Sequence, residues 1–200
     1  MQKAEIRISL SLKFYNEYFT GGGKGTGHVQ GYLLRDALGF PYIPASLIKG
    51  NVSHNARMIS SFFPKADSSL LFGDVGVKKG ILYFDDAVWK GTGNPYQFTD
   101  YRTSVTISRY TKTNQQGLLR TIETAGDGGG MIFVGAIQGF LPNYEANTAL
   151  LVTSLQMLYT LGGSRSRGLG WLDGGIVSKI EIEGEEKSLS EIREWAVVSQ

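Results

Sequence analysis

The 200-residue sequence is 42% hydrophobic, enough for one domain with its own core, and it has no cysteine, which excludes disulfides, thiolate zinc sites and a cysteine nucleophile. Its net charge of +2 hides an uneven distribution, because residues 1–66 hold eight Lys/Arg against three acids and residues 173–200 hold three against seven. Such clustering is typical of proteins with a polyanion partner, although ordinary surface variation produces it too.

The N-terminal residues show no charged-then-apolar leader, and no apolar run reaches the length of a membrane span. We therefore expect a cytoplasmic protein that makes no contact with a membrane. The lack of cysteine agrees with a reducing compartment without proving one.

The first third of the chain predicts a strand, a glycine-rich loop and a helix. Residues 4–14 alternate apolar and polar side chains, which is typical of a half-buried strand. Five glycines within residues 21–27 predict a loop, and the prolines within residues 40–44 predict extended chain. Pro44 then opens a helix that is expected over about 45–63.

One side of this predicted helix combines cations with hydroxyl groups. Ser46, Lys49, Ser53 and Arg57 recur at the spacing that aligns residues along one helix face. Hydroxyls and positive charges in a row suit the successive oxygens of a phosphodiester backbone. The alternative is an ordinary solvated helix face.

The middle of the chain predicts two core strands separated by an insertion. Residues 80–90 and 131–141 read as strands, the second apolar on both faces. Between them, residues 91–129 predict an extended hairpin that projects from the core, with its turn at 113–117.

The last third predicts helix, glycine-rich loop, strand and helix. Asn143 is expected to cap a helix over about 143–161 that Gly162 and Gly163 terminate. A strand follows over about 175–183, and Ser188 with Glu191 predicts a capping box for a terminal helix. No repeat or linker divides the chain, so residues 1–200 are interpreted as one domain.

The predicted order is strand, helix, strand, projecting hairpin, strand, helix, strand. Without the hairpin this is a βαββαβ unit, so the predicted class is α+β with a ferredoxin-like fold, the plan also used by RNA-recognition domains.

Residues 162–170 are the most specific functional segment. Their glycines allow close backbone approach to a ligand, and successive N–H groups can form an anion nest. Arg165 and Arg167 can grip phosphates or stack on bases. The alternative is a basic turn that only caps a helix.

The sequence predicts no binding site for a common cofactor. Lys24 lies in the first glycine-rich segment and could approach phosphates, but the segment matches neither a P-loop nor a dinucleotide motif, so no nucleotide cofactor is expected. His28 and His54 have no partner at metal-ligand spacing, so no metal site is expected. His28 is a weak candidate for an acid or base acting on RNA.

Three segments together resemble the RAMP superfamily of CRISPR effector subunits, particularly the type III backbone family. They are the first glycine-rich segment leading to Leu33–Asp36, the segment Pro41–Gly50 with its proline, serine and lysine-glycine pattern, and the loop Gly162–Gly170. The last two are specific at their spacing, and the element order extends the resemblance over nearly the whole chain.

The resemblance implies a ferredoxin-like domain with a protruding thumb, here at about 100–128. Copies would stack head to tail along a guide RNA, each thumb entering between nucleotides of the guide–target duplex, with other effector subunits as further partners. The predicted RNA-binding residues are Lys24, Ser46, Lys49, Ser53, Arg57, Arg109, Ser164, Arg165 and Arg167.

One departure concerns cleavage. Target-cleaving members carry an aspartate six residues before the aspartate of an Arg-Asp pair, and counting back from Asp36 leads to Gln30. A neutral amide is a poor Mg²⁺ ligand compared with a carboxylate, so the catalytic candidates Gln30, Asp36 and His28 are weak. Mg²⁺ is expected only if the chain cleaves RNA.

Three functions therefore stay open. The favoured one is a non-catalytic guide-binding backbone subunit. The second is an endoribonuclease, which cuts target RNA with Mg²⁺ or processes the guide precursor with His28. The third is an assembly or regulatory module that never touches RNA.

Overall fold

The computed structural model describes residues 3–24, 29–74, 76–91, 93–94, 96–126 and 131–198. The helices of this part are α1 (Ala45–Ile59), α2 (Ser68–Phe72), α3 (Tyr144–Gln156) and α4 (Leu189–Val198). Its strands are β1 (Lys3–Lys13), β2 (Gly21–Lys24), β3 (Val29–Leu33), β4 (Tyr42–Ile43), β5 (Gly73–Asp74), β6 (Lys78–Lys79), β7 (Tyr83–Phe84), β8 (Ala87–Trp89), β9 (Thr99–Ile107), β10 (Asn114–Ala125), β11 (Ile132–Pro142), β12 (Val177–Ile182) and β13 (Glu185–Lys187).

The larger sheet has β1 at its centre. Its order is β13-β12-β1-β11-β8-β4, and β7 also pairs with β11. The strand β1 runs antiparallel to both β11 and β12, and its apolar residues, including Ile6 and Ile8, are completely buried as the alternation predicts. The order and orientation match a βαββαβ unit, so the α+β, ferredoxin-like prediction is confirmed.

The core lies between this sheet and the helices. Ile48, Val52 and Ala56 of α1 are fully buried, and α1 and α3 pack against each other. At one end of β1 the Phe14 and Tyr18 rings stack at 4.5 Å, and Phe133 meets both rings edge-on. This aromatic cluster fixes the chain where it leaves β1.

The smaller sheet contains the predicted hairpin. Its order is β2-β3-β10-β9, in which β9 and β10 are antiparallel and β3 runs parallel to β10. The first glycine-rich segment, residues 21–27, was expected to be a loop, and that prediction was wrong for Gly21–Lys24, which form β2. The strand β3, which pairs with β2, was not predicted. The hairpin is therefore attached to the domain through β3.

Both long helices are shorter than predicted. The helix α1 ends at Ile59 and continues as a 3₁₀ turn over Ser60–Phe62, and α3 ends at Gln156. The glycines at 162 and 163 therefore do not terminate α3. Asn143 occupies the N-cap position of α3 with a left-handed φ of 45° but makes no capping bond with its side chain.

Two helix starts are capped by carboxylates. The predicted capping box of α4 is confirmed, because Ser188 N donates to Glu191 Oε2 at 2.7 Å and Glu191 N donates to Ser188 Oγ at 3.3 Å. The hydrogen bonds from Ser188 lower the pKa of the Glu191 carboxyl. At α1, Ala45 N donates to Asp86 Oδ1 at 2.6 Å, and Asp86 lies in the break that divides the predicted strand 80–90 into β7 and β8.

Within the described ranges, no helix combines the length and apolar character that crossing a membrane requires.

Candidate nucleic-acid interface

Residues 162–170, here called the glycine loop, are held by residues 15–19, here called the anchor segment. The Asn16 side chain donates to Gly168 O and accepts from Trp171 N at 2.9 Å. The carbonyl oxygen of Glu17 accepts from Gly170 N at 2.8 Å, and that of Phe19 accepts from Gly163 N at 2.7 Å. The loop is therefore fixed to the exit of β1 at both of its ends.

The glycines at 162, 163 and 170 allow close packing, whereas a Cβ at Gly168 would meet open space. A Cβ at Gly170, where φ is +76°, would lie 2.0 Å from Leu161 O, and one at Gly162, where φ is +100°, would lie 2.5 Å from Phe19 O. The N–H groups of Arg167 and Gly168 donate within the turn, to Ser164 O at 2.9 Å and Arg165 O at 3.0 Å. The N–H groups of Arg167 and Gly168 are therefore occupied within the turn and are not available to an anion.

The two arginines of the loop reach two different elements. Both side chains are exposed. Arg165 Nη1 donates to Asn51 Oδ1 of α1 at 3.2 Å, and Arg167 Nη1 donates to Ser104 Oγ of β9 at 3.0 Å. The loop therefore bridges the first helix and the hairpin.

The face of the hairpin that meets Arg167 carries two more arginines. Arg120 lies directly opposite Ser104 across the β9–β10 ladder, and Arg102 lies two residues before Ser104, so all three share one face. Arg102 Nε lies 3.5 Å from Glu17 Oε2, whereas Arg120 is exposed. We call Arg102, Arg120, Arg165 and Arg167 the arginine groove.

The predicted stripe on α1 does not join this groove as a unit. Successive residues of a helix are rotated by about 100°, so the side chains of Lys49 and Asn51 point about 160° apart around α1. Arg165 bonds to Asn51 and therefore lies on the side of α1 away from Lys49. Ser46 is exposed and Lys49 half-buried, but Ser53 is only 8% exposed and does not lie on an open face. Arg57 donates to Gly73 O at 3.0 Å and lies 3.7 Å from Asp74 Oδ1.

The remaining predicted binding residues have varied positions. Ser164 has a left-handed φ of 58° at the start of the 3₁₀ turn that carries the two loop arginines. Arg109 is exposed in the turn between β9 and β10. The side chain of Lys24 and the whole of His28 lie outside the described residues.

A model of the RAMP superfamily matches residues 12–173, which include the anchor segment, the hairpin and the glycine loop. The chain belongs to the RAMP superfamily. A chain of the type III-B Cmr-beta complex bound to cognate target RNA, solved by cryo-electron microscopy, has a similar fold, with a TM-score of 0.58 and 13% identity over 86% of this chain and 96% of that one. A chain of the same complex in its apo state gives a TM-score of 0.64 at 13% identity over 86% and 97%. No curated protein sequence matches.

Gln30, where the resemblance places an aspartate in target-cleaving RAMP proteins, joins β3 to the hairpin. Its Nε2 donates to Leu119 O at 3.0 Å and its Oε1 accepts from Thr121 N at 2.6 Å. These bonds span a register shift between β10 and β3, where the regular ladder is interrupted. The N–H and the C=O of the Gln30 side chain therefore both hold β3 against β10.

Replacing Gln30 with alanine should loosen the hairpin by about 1 kcal/mol, because an exposed hydrogen bond contributes about 0.5–1.5 kcal/mol net. Amide hydrogen exchange at Thr121 is expected to accelerate, while exchange in β1 stays unchanged. Gln30→Glu serves as the comparison, since it keeps an acceptor for Thr121 N but replaces the donor to Leu119 O with a charged acceptor. Unchanged protection of Thr121 in Gln30→Ala would contradict this role.

Asp36 shapes a turn in this RAMP domain. Its Oδ1 accepts from Leu38 N at 2.9 Å and from Phe40 N at 2.8 Å, an arrangement typical of aspartate in turns. Across the described part of the chain, no group of three or more His, Cys, Asp or Glu residues is placed to hold a metal ion.

A buried ion pair that the sequence did not predict joins the hairpin to the segment that follows β3. Arg35 Nη2 lies 2.5 Å from Glu123 Oε1, with side-chain exposures of 15% and 6%, and Glu123 Oε2 accepts from Leu33 N at 3.0 Å. The Arg35 guanidinium also lies 4.4 Å from the centre of the Tyr96 ring. Burial raises the pKa of the nearby Tyr18 hydroxyl, with a smaller opposing effect of Arg35.

The sequence signals for Asn16, Arg102 and Arg120 were weak. The first is a single polar residue after an apolar strand, and the other two are isolated cations in a polar segment. Only the strand register brings both arginines to the face that meets the glycine loop of this RAMP domain.

Proposed function

We propose that this RAMP protein binds the guide RNA of a type III CRISPR effector complex as a non-catalytic backbone subunit. The observation that carries the proposal is the arginine groove, in which Arg167 bonds to the hairpin face that carries Arg102 and Arg120, and Arg165 lies two residues away in the same loop. The similar folds of the two Cmr-beta chains support the type III assignment, because both chains come from a type III-B complex. One of those complexes contains target RNA, which supports RNA as a partner.

The chemistry of the groove suits a ribose-phosphate strand. Guanidinium groups bind phosphate oxygens through two parallel hydrogen bonds and keep their charge at all physiological pH values. Four arginines outnumber the carboxylates of Glu17, which pairs with Arg102, and of Asp100, which lies two residues before Arg102 on the same face, so the surface has a net positive charge. Contacts of this kind hold RNA without reading its bases, which is what a subunit serving many guides requires.

The partners in this proposal are guide RNA, complementary target RNA, other effector subunits and further copies of the chain. Head-to-tail contacts between copies generate an open array along the guide. The hairpin tip supports a role in entering the duplex, since Tyr110 is 98% exposed there and aromatic side chains stack on bases.

The position of Gln30 favours binding over cleavage. Its amide is held by β10 on both sides, and Asp36 supports a turn. We therefore propose that RNA binding needs no Mg²⁺ and persists in EDTA, and that labelled target RNA stays intact.

A salt titration tests the binding proposal. Affinity for single-stranded RNA should fall steeply with salt, with a logarithmic slope of about −0.7 for each neutralised phosphate and hence about −3 for four arginines. The measurement is fluorescence anisotropy of labelled RNA between low and physiological salt, with EDTA throughout. An absent affinity would overturn the proposal in favour of a pure assembly module, and an affinity that does not respond to salt would overturn it by showing that the groove does not bind phosphates.

A further inference from the structure

Two exposed aromatic side chains line a cleft beside the glycine loop. Tyr15 is 73% exposed and Trp171 is 49% exposed. The cleft has a volume of about 410 Å³, within the usual size of small-ligand sites, and we call it the aromatic cleft. Its lining residues are Tyr15, Asn16, Trp171, Leu172, Asp173 and Gly174.

We propose that the aromatic cleft is a stacking site for an unpaired nucleobase of the RNA held in the arginine groove. The inference rests on the proposed function and adds to it a second kind of contact, made to a base instead of a phosphate. Every base has a π face, so such a site accepts any base.

The backbone places Tyr15 and Trp171 opposite each other. Phe14 and Leu172 form an antiparallel bridge, and Tyr15 N donates to Trp171 O at 2.8 Å. Residues 15 and 171 are therefore opposite each other, and opposite residues of an antiparallel pair project to the same side. A planar ligand entering the cleft meets both rings.

The cleft and the groove share one support. The Asn16 side chain lines the cleft, donates to Gly168 O and accepts from Trp171 N at 2.9 Å. Arg167 and Trp171 are four residues apart, so their Cα atoms are separated by at most about 14 Å. An RNA strand held at Arg167 spans that distance within about four nucleotides, even at a stacked spacing of about 3.4 Å.

The size and polarity of the cleft favour a base over a protein partner. Its six lining residues are few compared with the roughly 20–30 residues that each side contributes to a stable protein interface. The Asp173 carboxylate lies 2.9 Å from Lys13 Nζ, so the wall offers little uncompensated negative charge to repel RNA. Proteins that bind single-stranded nucleic acids combine aromatic side chains, on which bases stack, with positively charged side chains along the backbone.

Replacing Trp171 with alanine tests the site. Affinity for single-stranded RNA is expected to fall about tenfold, as loss of one base–aromatic stack does, with the salt slope unchanged. Affinity for an abasic ribose-phosphate chain of the same length should not change. RNA should quench tryptophan fluorescence in the wild type and not in Trp171→Ala, where Trp89 and Trp195 remain. Trp171→Phe keeps a ring and should retain most of the affinity.

The outcomes separate the two proposals. Salt-dependent RNA binding that is equally tight in Trp171→Ala overturns the stacking site and leaves the proposed function intact. An equal loss for base-bearing and abasic chains also overturns it, because Trp171 would then act only by supporting the glycine loop. A wild-type protein without salt-dependent RNA affinity overturns both. A urea midpoint equal to that of the wild type verifies that Trp171→Ala is folded.

Discussion

Replacing Arg165 and Arg167 together with alanine is expected to lower the affinity for single-stranded RNA on the order of 100-fold. A hydrogen bond to a charged group contributes about 1.5–3 kcal/mol, and 1.4 kcal/mol is a factor of ten. The logarithmic salt slope should become shallower by about 1.4, since two phosphate contacts are lost. Anisotropy titrations at several salt concentrations measure both quantities.

The matched control is Lys78→Ala/Lys79→Ala, which removes the same charge from two exposed residues of β6, a strand that pairs with β5 and not with the strands of the hairpin. This control should change affinity less than threefold, because only long-range attraction is lost. The loss in the arginine variant should be equal across RNA sequences. A strongly sequence-selective loss, or an equal loss in the lysine control, would contradict phosphate binding by the groove.

Replacing Glu123 with alanine is expected to destabilise the fold by about 3–5 kcal/mol. The change removes the partner of a mostly buried arginine and the acceptor of Leu33 N, and breaking a buried ion pair by deleting one partner has effects of this size. The free energy of unfolding, measured by urea denaturation, gives the loss directly. The hairpin and β3 should lose hydrogen-exchange protection first, since Glu123 lies in β10 and its carboxylate accepts from Leu33 N of β3.

An exposed ion pair provides the comparison. Asp173→Asn breaks the pair with Lys13, whose two side chains are 44% and 54% exposed, and should cost less than about 1 kcal/mol. Replacing both Arg35 and Glu123 with apolar residues should recover much of the lost stability, because no charge is then left buried. If Glu123→Ala lowers the free energy of unfolding no more than Asp173→Asn does, the buried pair has no special structural role.

The larger sheet could be predicted because its signals are local. The alternation in residues 4–14 identifies β1, and the capping box identifies the start of α4. The break between β7 and β8 was missed, since Asp85 and Asp86 are explained only by contacts across the fold, including the bond from Ala45 N to Asp86. Pairing partners far apart in sequence leave no local pattern.

The smaller sheet was predicted only in part for a related reason. Glycines at 21–23 suggested a loop, because glycine weakens isolated strands. A Cβ at Gly31 would lie 2.8 Å from the Phe19 ring, so the strand needs glycine to pass this side chain. Tertiary packing thus overrides the local preference of the chain.

The candidate site was identified as a segment and not as a surface. The glycine loop and its two arginines stood out because of their composition, and Arg165 and Arg167 are exposed as expected. The regular spacing on α1 predicted a stripe of binding residues, but Ser53 is buried and Arg165 lies on the Asn51 side of the helix. The hairpin arginines at 102 and 120 belong to the groove because of strand register, which a single sequence does not reveal.

The bonds between the anchor segment and the glycine loop have a consequence for the kinetics of recognition. Because the loop is already fixed by Asn16, Glu17 and Phe19, its backbone has little conformational entropy left to lose when a ligand arrives. Such pre-organisation favours docking into a ready-made shape, so encounter is limited by diffusion and electrostatic steering. A guide strand bound as proposed would then dock without waiting for the loop backbone to rearrange.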